Sequence, residues 1–297
     1  MTTSELTLPP TAAAPQGRRR VMGAGKQLHA GPVTYVVLVV FALVSLAPLV
    51  WTAIAASRTN TRLAQTPPPL WFGGNLFKNL ETAWDQAGMG TAMVNTTFVA
   101  GTITVGTVLF STLAGFAFAK LRFRFSTALL LITIGTMMVP PQLAVVPLYL
   151  WMTDLHWANH LQTVILPTLV SAFGTFFMRQ YLVQALPTEL IEAARVDGAS
   201  SLRVVWHVVF PAARPAMAVL GLLTFVMAWN DFLWPIIALN GENPTVQVAL
   251  NQLGTGYIPD DSVIMAGALL GTLPLLLAFL LFGKQIVGGI MQGAVKG

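Results

Sequence analysis

His156 and His160 stand four residues apart, a spacing that puts two ligands on one helix face. Zinc needs three or four protein donors. Asp154 lies two positions from His156 and points elsewhere on such a helix, and the chain has no cysteine. Acyl chemistry has no better start, because no Gly-x-Ser-x-Gly elbow occurs to expose a serine nucleophile. Nor is there a Gly-x-x-x-x-Gly-Lys-Ser/Thr loop, whose backbone N–H groups would cradle phosphates; Gly25-Lys26 lacks the earlier glycine. The residues therefore predict no catalytic group, no metal site and no cofactor bound by this chain. Asp231 stands apart as the only acid inside an apolar run, and such residues are functional candidates. With Trp229, Asn230 and Trp234 it offers aromatic faces and polar groups suited to a hydroxyl-rich ring. The same residues also suit capping of a helix broken before Pro235, and that structural role is favoured. At about 1.5 Å per residue from Pro215, Asp231 falls roughly 24 Å along its run, near the outer surface.

The elements around these residues are membrane helices. Hydrophobic residues make up 55% of the chain and charged residues 9%, against about 25% charged in a soluble domain. Runs at Val33–Ala56, Met93–Ala119, Ser126–Leu150, Leu161–Tyr181, Pro215–Leu239 and Ser262–Phe282 approach the ~20 apolar residues that a crossing needs. Their uniform apolarity excludes a barrel, which alternates. The fold class expected is all-α, a polytopic bundle of about six transmembrane helices in one membrane domain, 31–297. The basic residues divide unevenly: with a cytoplasmic N-terminus, only Arg58, Arg62 and Lys78 of the 16 fall outside. By the positive-inside bias both termini are cytoplasmic. The net charge of +5 is thus a topology signal and not a nucleic-acid footprint.

Residues 1–30, rich in Thr, Ala and Pro, read as a disordered cytoplasmic tail. A signal peptide competes, but the apolar run after Arg18–Arg20 is too long and no cleavage site closes it. Ser57–Thr91 reads as a docked interfacial loop, stiffened by Pro67-Pro68-Pro69 and anchored by Trp71, Phe72 and Trp84. Pro140-Pro141 and Pro147 interrupt the third run, and broken membrane helices survive only against protein or a water-filled cavity. Thr107, Ser111, Gly115 and Ala119 place small residues on one face for close helix packing.

The segment Leu186–Pro211 is the most specific. Pro187 opens a short helix in its first turn, Glu189 and Glu192 suit its positive end, and Gly198 closes it at C′. A second helix starts at Ser200 or Ser201 and is expected to run to Pro211. The two make a rigid knob with a glycine corner, and Ala193 and Ala194 give it a close-approach surface.

Glu192-Ala193-Ala194, three residues, Gly198, nine residues and then Val208-Val209-Phe210-Pro211 resemble the EAA loop of bacterial ABC importer permeases. Asn79–Trp84, Met138-Val139-Pro140, Trp229–Pro235 and Gly293–Gly297 resemble the carbohydrate-uptake branch, most of all its maltose-permease G-type (MalG-like) subunits. Phe210 departs mildly, where the pattern favours leucine. The resemblance implies a type I ABC importer permease fold in the bacterial cytoplasmic (inner) membrane. It makes 186–214 a coupling loop that docks into an ATPase subunit, through Glu189, Glu192, Ala193, Ala194, Asp197, Gly198 and Ala199. It also implies that the cytoplasmic tail 284–297, through Gly293, Ala294, Val295 and Lys296, enters the interface between two ATPase copies, which hold ATP and Mg. The other implied partners are a second, MalF-like permease, a lipid-anchored or periplasmic solute-binding protein and the bilayer. The implied solute is a di- or oligosaccharide, with glycerol phosphate left open. An intramembrane enzyme is the main competing class, without the metal ligands or nucleophile elbow it would need. An ion-driven secondary transporter is the second, but its usual midplane charges and inverted repeats are not evident.

Overall fold

The computed structural model describes residues 31–255 and 259–294. The expected tail over 1–30 lies outside the described residues, as do Val295, Lys296 and Gly297. Every regular element among the described residues is helical. Helix α1 (Pro32–Ala56) crosses the division between a unit ending at Ala47 and a larger unit that begins at Pro48. In the larger unit the chain continues through α2 (Asn60–Leu63) and α3 (Leu76–Gln86) into the long α4 (Met89–Lys120). Among the described residues, α1, α4, Ser201–Trp229 and Asp261–Leu281 are long and apolar enough to cross a bilayer unbroken.

Two further crossings are bent. Helix α5 (Ser126–Thr136) meets the following helical piece, Pro141–Asp154, at 89°. The cause is the proline pair. A residue before proline is pushed out of the helical region, and Pro140 accordingly takes ψ 125. Pro141 then opens a 3₁₀ turn that leads into α6 (Val145–Asp154). Pro147 causes no interruption, contrary to the sequence expectation. It falls in the first turn of α6, where a missing N–H forfeits no bond. The second bent crossing joins α7 (Leu161–Ile165), with the 3₁₀ turn Leu166–Thr168, to α8 (Ala172–Ala185) at 40°. The sequence reading ran straight through this break, which falls at 169–171, just after the turn that holds Pro167. Ser171 restarts the helix, accepting the Gly174 N–H at 3.0 Å as an N-cap.

After α8 come α9 (Thr188–Val196) and α10 (Ser201–Val204), the two arms of the expected knob. The second arm does not end at Pro211. It passes through a π turn, Val205–Val209, into α11 (Phe210–Trp229) as one continuous helix. A wider turn directly before the proline relieves the clash of its ring with the carbonyl four residues back. Then follow α12 (Leu233–Ala238), α13 (Val246–Leu253) and α14 (Asp261–Ala294). Asp260 caps α14, its Oδ1 accepting from Ser262 N–H at 3.0 Å and Ser262 Oγ–H at 2.5 Å.

The loop expected between the first two crossings contains a helix. Along α3, Leu76, Leu80 and Ala83 recur at helical spacing and pack with Ala56, Val263 and Ala266. Asn79 ties it down, donating from Nδ2 to Ala56 O at 2.8 Å and Arg58 O at 2.7 Å. Arg58 in turn donates to Trp71 O, leaving the Leu70, Trp71 and Phe72 side chains exposed.

The small-residue face of α4 packs on α8. Thr107, Ser111 and Gly115 are buried there, and Thr107 Oγ1 donates to Thr168 O at 3.3 Å. The Ser111 hydroxyl is buried without a partner, and a Cβ added at Gly174 would collide with it. Ser111→Ala is therefore expected to be neutral or stabilising, since an unpaired buried hydroxyl carries only its desolvation penalty. Gly174→Ala alone should lower stability by about 1–3 kcal/mol, and most of that loss should vanish in the Ser111→Ala background. A double-mutant cycle on detergent-solubilised protein measures that coupling; additive effects would contradict it.

Candidate functional site

Two places gather the residues singled out by their chemistry. The first is the α9–α10 corner. Pro187, at φ −59 and ψ 139, stands at the N-cap of α9 and not inside its first turn. At the other end Gly198 has φ +77. Its N–H reaches Arg195 O at 3.0 Å, and Ala199 N–H reaches Ala194 O at 2.9 Å. These two bonds make a complete Schellman termination. No atom comes within 4 Å of a Cβ built at Gly198, so the glycine is required by its backbone angle and not by crowding. Ser200 then caps α10, its Oγ accepting Arg203 N–H at 3.4 Å.

The corner stands on an apolar root. Ile191 is buried with Leu182, Leu186, Val204, Val205, Val209, Met178 and Phe116, and Ala194 and Ala199 pack against them. Ala194 is thus half-buried in the chain's own core, whereas Ala193 is exposed. Glu189, Glu192 and Asp197 are exposed as well, and Val196 is 88% exposed. At 100° per residue, Glu189, Glu192, Ala193 and Val196 share the face of α9 opposite Ile191. That face carries two carboxylates beside a small apolar patch, which suits close contact with another protein surface more than any bond-making chemistry.

The second place is a half-open cavity of about 570 Å³. The two bends and a third break, the gap between α11 and α12 at 230–232, all border it: Pro141 and Gln142 after the first, Pro167, Thr168 and Ser171 at the second, Asp231 and Leu233 at the third. Ile103 and Thr107 of α4 and Leu220, Leu223, Thr224 and Met227 of α11 complete the walls. The interruptions thus cluster around one space, as irregular backbone at membrane depth must.

Of the four residues considered for sugar, two reach this cavity. Asp231 borders it, beside the Trp234 N–H in the first turn of α12. Trp234 borders it too, but its indole is buried and donates to Thr163 O at 3.0 Å. Trp229 is buried elsewhere and donates to Gly271 O at 3.0 Å. Asn230 donates from Nδ2 to Val226 O at 2.8 Å, capping α11. Gln142, Ser171 and Thr224 were missed by the sequence reading. Proline next to a polar residue inside an apolar run was the available signal for Gln142, beside Pro141.

His156 and His160 occupy a turn and not a helix face: His156 has φ +57 and His160 precedes α7. Among the described residues no three potential ligands gather as a metal site. Gly293 and Ala294 end the α14 backbone; Val295 and Lys296 lie outside the described residues.

Residues 107–290 match the family described as the binding-protein-dependent transport system inner membrane component. The lactose transport system permease protein LacG of Rhizobium radiobacter is 34% identical over 89% of this chain and 96% of its own length. The sn-glycerol-3-phosphate transport system permease protein UgpE of Yersinia enterocolitica is 30% identical, over 87% of this chain and 95% of its own. The fold is similar to a chain in the crystal structure of a bacterial ABC transporter involved in import of the acidic polysaccharide alginate. That likeness has a TM-score of 0.72 at 23% identity, covering 85% of this chain and 94% of the other. The matched residues take in the α9–α10 corner and nearly all of the cavity, and with whole-length relatives at this identity the chain belongs to the binding-protein-dependent inner membrane component family, as a multi-pass permease subunit of an ABC importer and not an enzyme.

Proposed function

We propose that this permease imports a sugar, and that ATPase subunits drive it by gripping the α9–α10 corner. The observation that carries the coupling reading is the Schellman corner itself, which presents the face Glu189, Glu192, Ala193 and Val196 on a buried apolar root. Glu192 is the anchoring charge, Ala193 and Val196 the contact patch and Gly198 the corner. Two ATPase copies holding ATP and Mg close on nucleotide, and each moves the permease docked in it. The partner permease is MalF-like, and a lipid-anchored or periplasmic solute-binding protein delivers the sugar. Domain limits follow: a tail over 1–30 and a membrane domain over 31–297.

Charge supports an orientation with the corner and both termini in the cytoplasm. Lys120, Arg122, Arg124, Arg195 and Arg203 lie on the corner's side of the membrane runs, whereas Glu81, Asp85, Asp154, Glu242, Asp260 and Asp261 lie in segments on the other. In this reading Gly293, Ala294, Val295 and Lys296 reach the interface between the ATPases, and deleting 293–297 is expected to lower coupled ATPase activity several-fold. The sugar reading draws support from relatives such as LacG.

The chain is free of cysteine, so a single Glu192→Cys or Ala193→Cys substitution gives a clean cross-linking handle. In the purified complex a thiol cross-linker is expected to join either variant to an ATPase subunit. Proteoliposomes holding the complex and its binding protein are expected to take up lactose or raffinose only with ATP inside. Cross-links from neither position, or uptake without ATP, would reject the reading.

A further inference from the structure

We propose that the cavity where the three helix breaks meet is a subsite for an uncharged, hydroxyl-rich solute, and that Asp231 makes it exclude anions. This rests on the import reading above and adds where this chain holds the solute and which residue discriminates by charge. The relatives leave that class divided, since LacG is named for a neutral sugar and UgpE for a phosphate ester.

The walls decide between them. Among the described residues bordering the cavity there is no lysine, arginine or histidine, and the one ionisable side chain is the carboxylate of Asp231. A phosphate ester sheds water that cationic donors must offset, and none of these residues carries one. Ser171 Oγ accepts the Gly174 N–H and keeps its own O–H as a neutral donor. Thr107 and Thr168 give their hydroxyl protons to backbone carbonyls. The polar side chains left to face the cavity are the Gln142 amide, the Ser171 and Thr224 hydroxyls and the Asp231 carboxylate. Three neutral groups and one acceptor charge match sugar hydroxyls, which donate and accept, and repel an anion in a poorly solvated space. The remaining walls, including Leu220, Leu223 and Met227, are apolar and suit the C–H faces of a sugar ring. The volume of about 570 Å³ lies within the ordinary ligand-pocket range of ~300–1,000 Å³. A few hydrogen bonds on apolar walls also bind weakly enough to release solute, which a pathway requires.

The test uses the assembled importer in proteoliposomes, with Gln142→Cys or Thr224→Cys as the reporter in this cysteine-free chain. Cationic trimethylammonium and anionic sulfonate methanethiosulfonates are compared, each normalised to its rate on glutathione, with modification of this chain read by mass spectrometry. The cationic reagent is expected to react roughly tenfold faster at both positions, and Asp231→Asn should remove most of that preference. Lactose and raffinose should slow modification, whereas sn-glycerol 3-phosphate should not. Equal normalised rates, a preference unaltered by Asp231→Asn, no protection by either sugar, or protection by the phosphate ester would each overturn the proposal. ATP-driven sugar uptake in the same vesicles reports the permease function separately, so intact uptake with no charge preference rejects the subsite alone.

Discussion

Gly198→Asp is expected to insert into the membrane normally yet to lose ATP-driven import. At φ +77 a residue with a Cβ is held in the left-handed region, at a cost of about 1–2 kcal/mol. That cost falls on the corner that aims α9 and not on the membrane spans. Alanine removes only the backbone freedom, so Gly198→Ala should lower import by roughly tenfold. Asparagine visits the left-handed region more readily, and Gly198→Asn should keep more activity than Gly198→Ala. Aspartate adds a charge beside Asp197 on an exposed surface, where the ATPase is proposed to seat, and should bring import below detection. Uptake assays in cells or vesicles, normalised to membrane content, read this series. Normal uptake by Gly198→Asp would refute the docking role of the corner, and loss of the protein from the membrane would show that the glycine serves folding instead.

Gly115→Val is expected to have the largest effect on stability. A Cβ at Gly115 would sit 2.8 Å from Arg179 N and 2.8 Å from Met178 Cβ. Neither atom is the end of a flexible side chain, so relief requires α4 and α8 to separate. Overpacking of this kind costs about 1–3 kcal/mol, and the branched valine side chain should stand at or above the top of that range. Separation would also disturb the cluster of Phe116, Met178 and Leu182 that roots α9. Folded protein recovered by size exclusion in mild detergent should fall sharply for Gly115→Val and less for Gly115→Ala. Wild-type recovery of Gly115→Val would show that the seam is looser than its geometry indicates.

The parts of this fold legible from sequence were those governed by local chemistry. Apolar length marks α4 and α14, and the glycine at 198 marks a helix end, because one residue type there satisfies one backbone angle. Features governed by context were harder. Pro147 and Pro211 look like the same signal as Pro140-Pro141, yet only the pair breaks its helix. One of the others lies in a first turn and the other follows a π turn. Helix α3 was legible in principle, since Leu76, Leu80 and Ala83 have helical spacing, but the flanking prolines and aromatics favoured a loop. The roles of Trp229 and Trp234 turned on partners 42 and 71 residues away, which no local window contains. The cavity depends on three breaks meeting in space, and sequence spacing carries no such distance.

Because the helix from Ser201 to Trp229 is unbroken over 29 residues, it forms one rod of roughly 43 Å at 1.5 Å per residue. Its near end is half of the corner, and its far stretch supplies Leu220, Leu223, Thr224 and Met227 to the cavity wall. A twist applied at Ser201 meets two weak points on the way, the π turn and Pro215, whose ring removes one intrahelical bond. The stroke of a distant motor would then reach the solute with no relay between them, and stiffness at those two points would set how much of each stroke arrives.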